Sequence, residues 1–250
     1  MVIFFFLYRI SLIFSVLGYQ QGSFKSTQMS YARVSEAYSS AWPGLKKELE
    51  SAGFKPGTIQ ILFAAYKSEQ VFEVHIRQNS GEKYKLFKTY AVCQSSGGPG
   101  PKRKQGDGQV PEGFYKIDRF NPWSSYHLSL GVNYTNTSDK YFAGRDNPGG
   151  DIFIHGKCVT IGCLPLTDEK IKEVYVLAVE ARNGGQNNIP VLLFPCKMEG
   201  DVYAALRKKY SADKELLNFW DNLETGYKKF VSTGINPAFS FDAQGKYVFK

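Results

Sequence analysis

With 250 residues, 43% of them hydrophobic and 22% charged, the chain has the make-up of an ordinary globular protein with one generous core. Four cysteines are too few for a disulfide-built scaffold. The formal charge of +8 admits an anionic partner, but no zinc-finger, helix-turn-helix or RNA-binding signature accompanies it; nucleic acid is set aside, and a polyanionic surface or carboxylate-rich peptides suit the charge equally well.

Val2 to Gly18 is apolar apart from Tyr8, Arg9, Ser11 and Ser15. It is too short and interrupted for a spanning helix and reads as an export signal over residues 1–22, the alternative being an uncleaved membrane anchor. No Cys follows the run, so a lipidated anchor is not expected. Gln20 to Ser30 is polar and small, the composition of a linker. From Ser30 to Gly53 the apolar positions Val34, Ala37, Tyr38, Ala41, Leu45 and Leu49 fall at three- and four-residue steps, which predicts helix. Pro43-Gly44 is expected to break it in two, with Gly53 as the terminal cap.

The period then changes to that of strands: Ile59 to Phe63, Val71 to Ile76 and Tyr84 to Tyr90, with a hairpin turn around Gly81. His75 alternates onto a polar or solvent face and reads as structural. Ser95 to Gly113 is a Gly/Pro-rich loop carrying Lys102, Arg103 and Lys104, without the Gly-Lys-Ser/Thr ending of a phosphate cradle. Gly113 to Ile117 and His127 to Tyr134 are further strands, and Thr135 to Asn147 is a polar loop. Thr167-Asp168-Glu169 marks a helix start, followed by an apolar stripe to about Asn183. Ile189 to Phe194 is the last core strand, and Glu199 to Tyr210 and Asp213 to Phe230 are amphipathic helices.

The most informative stretch is Gly149 to Leu166. Ile152-Phe153-Ile154 is a short strand run that puts His155 at a strand end, and Gly156 lets the chain turn. Val159-Thr160-Ile161 leads to Gly162-Cys163, where glycine leaves the sulfur open to a ligand and lets N–H groups point at an oxyanion. A free thiol, with a pKa of about 8.5, needs a basic neighbour, and His155 is the histidine close in sequence to a Gly-Cys pair. On the residues alone two readings stand: a thiolate acyl transferase, or buried structural Cys and His side chains.

His155-Gly156 followed by Cys158-Val159-Thr160-Ile161-Gly162-Cys163 resembles the active-site segment of the L,D-transpeptidase catalytic (YkuD) domain, a His-Gly and then Ser/Thr-x-Gly-Cys. The eight-residue step from His155 to Cys163 resembles the YafK-like branch. So do Ser96 to Lys102, Gly106 to Tyr115, Phe120-Asn121-Pro122, Leu128 to Tyr134 and Thr167 to Glu173. The likeness departs where many members carry a His before Gly-Cys and an Arg or Asn after it; here Ile161 and Leu164-Pro165 stand.

The fold expected is β-rich α+β, a mixed sheet or sandwich of about eight strands with helices at both ends. The resemblance implies a catalytic domain over residues 31–197 and a C-terminal helical extension over 198–250. It further implies Cys163 as nucleophile, His155 as base, and Gly156 orienting the imidazole through its carbonyl. Gly162 would serve the oxyanion and Thr160 would support the loop. Tyr134, Asn133 and Lys102 are expected near a substrate groove, and no metal or cofactor is called for. The implied substrates are peptidoglycan stem peptides in the cell envelope, with an amine or peptidoglycan-linked protein as acceptor, or water in a hydrolase of the same mechanism. A catalytically dead peptidoglycan-binding protein and a redox protein using Cys158 and Cys163 are the rivals. A Cys158–Cys163 bond would silence the enzyme.

Overall fold

The computed structural model describes residues 23–250, so the apolar segment read as an export signal or anchor lies outside the described residues. Eight strands form one mixed sheet: β1 (Gln60–Tyr66), β2 (Val71–Arg77), β3 (Lys85–Ala91), β4 (Gly113–Asn121), β5 (Ser129–Val132), β6 (Phe153–His155), β7 (Leu164–Pro165) and β8 (Pro190–Phe194). Their order is β3-β2-β1-β8-β4-β5-β6-β7. β8 pairs parallel with β1 and antiparallel with β4, and β6 and β7 are also parallel. The α+β mixed sheet expected from the periodicities is therefore the architecture found.

The central strands are continuous apolar runs because both their faces are covered. In β1, Ile61, Phe63 and Ala65 enter one core and Leu62, Ala64 and Tyr66 the other. In β8, Val191 and Leu193 go one way, Leu192 and Phe194 the other. The first core is closed by α2 (Ala32–Ser51) and α4 (Asp168–Asn183), the second by α5 (Gly200–Lys209) and α6 (Lys214–Thr233). Trp220 of α6 is fully buried, a contribution of about 3 kcal/mol. Its indole N–H donates to Glu112 at 2.8 Å. Glu112 also accepts from the Gly100 N–H at 2.7 Å and pairs with Lys67 at 3.1 Å. That buried carboxylate thus ties the Gly/Pro-rich loop and α6 to the end of β1.

Several local expectations change. The linker holds a short helix, α1 (Phe24–Met29), capped by Ser23, because Phe24 finds an edge-on partner in Phe120. α2 runs unbroken through Pro43. Proline costs about 3 kcal/mol in a helix interior, and the buried side chains on either side of it (Val34, Ala37, Tyr38, Leu45 and Leu49) offset that cost. Gly53, at φ 81, does end the helix, with its N–H bonded to the Glu50 carbonyl and that of Phe54 to Leu49. His75 is not on an open face: α6 covers it, with Phe230 edge-on to its ring and Glu73 at 2.8 Å. β4 continues to Asn121, past the expected end.

The polar loop after Tyr134 contains α3 (Thr137–Ala143), started by a reciprocal cap between Asn136 and Asp139. α4 is buried nearly all round rather than along one stripe, being sandwiched between the sheet and the N-terminal helices. Beyond α6 the chain forms a hairpin, β9 (Phe239–Phe241) and β10 (Tyr247–Phe249), whose aromatic rings surround Phe114. No described helix is long and apolar enough to cross a membrane.

Candidate active site

Residues 156–163 connect β6 to β7, which run parallel with Ile154 opposite Leu164 and His155 opposite Pro165. Ile154 and Leu164 point into the core. By strand alternation Phe153 and His155 lie on the other face, and Cys163, one residue before Leu164, shares it. The contacts agree: the Phe153 N–H reaches the Cys163 sulfur at 3.4 Å, and the thiol lies 3.6 Å from the Asp151 carbonyl.

His155 is only 2% exposed, and its Nδ1 lies 2.6 Å from the Gly156 carbonyl. A carbonyl can only accept, so Nδ1 carries the proton and Nε2 keeps its lone pair. Burial pulls the imidazole below its ordinary pKa, opposed by the Gly156 hydrogen bond. Burial pushes the Cys163 thiol up, with the Phe153 N–H and the charge of Lys102 acting downward and Asp151 upward.

The loop is fixed at several points. The Thr160 hydroxyl accepts from the N–H groups of Gly162 (3.2 Å) and Cys163 (2.8 Å) and donates to the Cys163 carbonyl (2.8 Å). Both N–H groups expected to face an oxyanion are thus taken up by Thr160. Gly162 sits at φ 125, and a side chain there would meet the Gln109 carbonyl at 3.0 Å. Gly156 is crowded by Asp168, the Tyr126 carbonyl and Ile171. Asp151 (φ 56) and Lys157 (φ 57) are left-handed on either side of β6, a conformation that non-glycine residues keep only when their surroundings impose it. Asp168 accepts from the Lys157 N–H at 2.9 Å.

Cys158 is bonded to Cys93, with Cα atoms 5.5 Å apart, so the loop is stapled to the chain just after β3. The silencing Cys158–Cys163 bond is therefore not the one formed: Cys163 is free and half-buried, and Cys196 is free and buried, its thiol pushed up to about 12 by burial.

The residues expected to line a groove are turned to structural work. Lys102 is 5% exposed and donates to Asp107 (2.7 Å) and the Lys104 carbonyl (2.8 Å) within its own loop. Arg103 pairs with Asp139 at 3.0 Å beneath Phe142 and Phe219. Tyr134 is buried, its hydroxyl near the carbonyls of Lys102 and Pro148. Asn133 accepts from the Lys116 N–H at 2.6 Å, bracing β4. Internal carboxylates recruit these cations, and nothing local in the sequence announces such partners. Sequence reasoning missed Tyr126, whose ring lies 4.7 Å from that of His155, and Gln109, against Gly162. Among the described residues no three His, Cys, Asp or Glu side chains gather into a metal-holding cluster.

Comparison with known proteins bears on this arrangement. Residues 64–189 match the L,D-transpeptidase catalytic domain (YkuD) family. The chain is 33% identical over 222 residues to the protein of Escherichia coli strain K12 named "Putative L,D-transpeptidase YafK", covering 88% of this chain and 84% of that one. The same values hold for its counterpart in Escherichia coli O157:H7. Among solved structures, the helical cell shape determining protein Pgp2 from Campylobacter jejuni is similar at 18% identity and a TM-score of 0.45, covering 75% of this chain and 74% of that one. Bd1075 from Bdellovibrio bacteriovorus is similar at 17% identity and a TM-score of 0.39, over 75% and 82%. The chain belongs to the L,D-transpeptidase catalytic (YkuD) domain family, in its YafK-like branch.

Proposed function

We propose that the protein is a cysteine-dependent acyl transferase of the cell envelope, acting on peptidoglycan stem peptides through a thioester on Cys163. The observation that carries this reading is that a free thiol and a histidine lie on one sheet face, the imidazole being tied through Nδ1 to the Gly156 carbonyl. In the first step the Cys163 sulfur attacks the carbonyl at an L-centre to D-centre bond, and its proton passes to His155 Nε2. The tetrahedral adduct collapses, the C–N bond breaks, and the imidazolium returns the proton to the leaving amine. In the second step an acceptor attacks the thioester and gives its proton to His155, the C–S bond breaks, and the imidazolium returns the proton to the Cys163 sulfur.

The raised thiol and lowered imidazole suit proton transfer during attack rather than a standing ion pair. For the Gly162 and Cys163 N–H groups to hold the oxyanion, they exchange the Thr160 hydroxyl for it, an effect worth about 3 kcal/mol per donor. The acceptor is an amine in a transpeptidase and water in a hydrolase, and export through residues 1–22 would bring the protein to its substrate.

The test is mass spectrometry of purified stem peptides incubated with the protein, Cys163→Ala and His155→Gln, with and without an added amine. A cross-linked or amine-exchanged product lost in both variants supports the transpeptidase. A hydrolysed product with the same dependence supports the hydrolase. Product that persists in Cys163→Ala refutes the mechanism.

A further inference from the structure

The connection between β4 and β5, residues 122–128, bends back over the end of β6. Tyr126 in it is 45% exposed, whereas the imidazole beside it is 2% exposed. The two rings are 4.7 Å apart and tilted by 37° to one another. The phenol ring therefore stands between one side of His155 and water.

This connection is held from two sides. Arg33 of α2 donates to the carbonyls of Ser124 (2.6 Å) and His127 (2.9 Å). Lys157, just past Gly156, donates to the carbonyl of Ser125 at 2.9 Å. The Tyr126 N–H is taken by the Ser124 hydroxyl at 3.0 Å, and His127 turns the chain at φ 69. The Tyr126 carbonyl accepts from the Gly156 N–H at 3.0 Å, anchoring the residue whose carbonyl, one peptide further on, binds His155 Nδ1. That backbone contact survives any side-chain substitution, so the ring's contribution can be isolated.

We propose that Tyr126 is a positioning residue for His155: its ring seals one face of the imidazole and holds it Nδ1-protonated, leaving Nε2 for the Cys163 proton. This rests on the acid–base role proposed above for His155. A histidine's tautomer is set by its hydrogen bonds, and water admitted to the uncovered face competes with the Gly156 carbonyl for Nδ1. The titratable groups in the neighbourhood are the Cys163 thiol, Tyr126 itself, His127 beside it in the chain, Lys157, and Asp168 at the start of α4. Apart from Tyr126 itself, none of these is replaced when the ring alone is trimmed.

The decisive experiment is nitrogen-15 NMR of the imidazoles across pH in the full chain, for the wild type, Tyr126→Phe, Tyr126→Leu and Tyr126→Ala, with His155→Gln assigning the resonance. The wild type and Tyr126→Phe should show one Nδ1-protonated form titrating below an ordinary histidine. Tyr126→Ala should show mixed tautomers and a higher midpoint, with Tyr126→Leu between, provided circular dichroism confirms folding. Turnover of stem peptides should fall 10- to 100-fold in Tyr126→Ala, mainly in kcat, and recover in Tyr126→Phe. A folded Tyr126→Ala or Tyr126→Leu with an unchanged tautomer and titration overturns the proposal, as does a Tyr126→Phe variant as perturbed as Tyr126→Ala. A wild type without activity on any stem sinks the proposed reaction, while the NMR comparison still decides the role of Tyr126.

Discussion

Replacing Glu112 by Gln probes the contact that joins three parts of the molecule. Glu112 is fully buried, and Lys67 is 6% exposed. The Lys67 ammonium also donates to the carbonyls of Gly100 (2.7 Å) and Val110 (2.9 Å). Burial draws its pKa down, and the Glu112 carboxylate works against that shift. Glutamine keeps the shape and one acceptor for the Trp220 or Gly100 N–H, but leaves the ammonium without a counter-charge. Breaking a buried pair in this way costs about 3–5 kcal/mol. Removing both charges, in Lys67→Met/Glu112→Gln, should restore part of the loss, because no buried charge is stranded. Urea unfolding followed by circular dichroism measures both. A Glu112→Gln cost below about 1 kcal/mol, or a double variant destabilised by the full sum of the singles, would refute the reasoning. The effect should reach the site: the same loop presses the Gln109 carbonyl against Gly162, so alkylation of Cys163 should change in the single variant and less in the double.

Three further outcomes are expected. Cys93→Ser/Cys158→Ser opens a loop with a sequence separation of 65, which by chain entropy costs about 4 kcal/mol, read as a lower urea midpoint relative to the oxidised wild type. In a Cys196→Ser background, the rate of Cys163 alkylation by iodoacetamide should rise with pH to a midpoint above that of a free cysteine in the same buffer, because burial raises the thiol. Asp139 is raised from 3.8 to about 6, chiefly by burial. A folded pKa above the unfolded one contributes stability that is complete below pH ~4 and lost as pH rises through ~6, at most ~3 kcal/mol. Unfolding free energies measured from pH 4 to 7 should therefore flatten in Asp139→Asn.

The strands were legible because β1 and β8 are nearly continuous apolar runs and β2 alternates apolar with polar residues, and the candidate site could be named because His-Gly and Thr-x-Gly-Cys lie within one short loop. Strand order was not. β8, the last core strand in the chain, lies between β1 and β4, and the two-sided burial that directs Leu192 and Leu193 into different cores leaves no mark distinguishing them in sequence. The basic loop misled for a related reason: Lys102 and Arg103 look solvent-bound until the fold brings Asp107 and Asp139 to them. Pro43 and the C-terminal hairpin show tertiary burial overriding a helix breaker and period-2 aromatics lying beyond the last helix.

Gly156 is where these constraints meet, and it can be tested by adding a single methyl. A Cβ there would lie 2.6 Å from Asp168 Oδ1, 2.9 Å from the Tyr126 carbonyl and 3.0 Å from Ile171. The Asp168 side chain can swing away only by releasing the Lys157 N–H. The Tyr126 carbonyl can retreat only by giving up its bond to the Gly156 N–H and moving a loop anchored by Arg33. Overpacking of this kind typically costs about 1–3 kcal/mol. The site should suffer more than that figure implies, because the displaced peptide is the one whose carbonyl fixes His155 Nδ1. Gly156→Ala should therefore lower the unfolding midpoint modestly while mixing the His155 tautomers and depressing turnover at least tenfold. If the variant lost stability but kept one Nδ1-protonated imidazole and full turnover, Gly156 would be a packing glycine alone, and the base would owe its orientation to the rings around it.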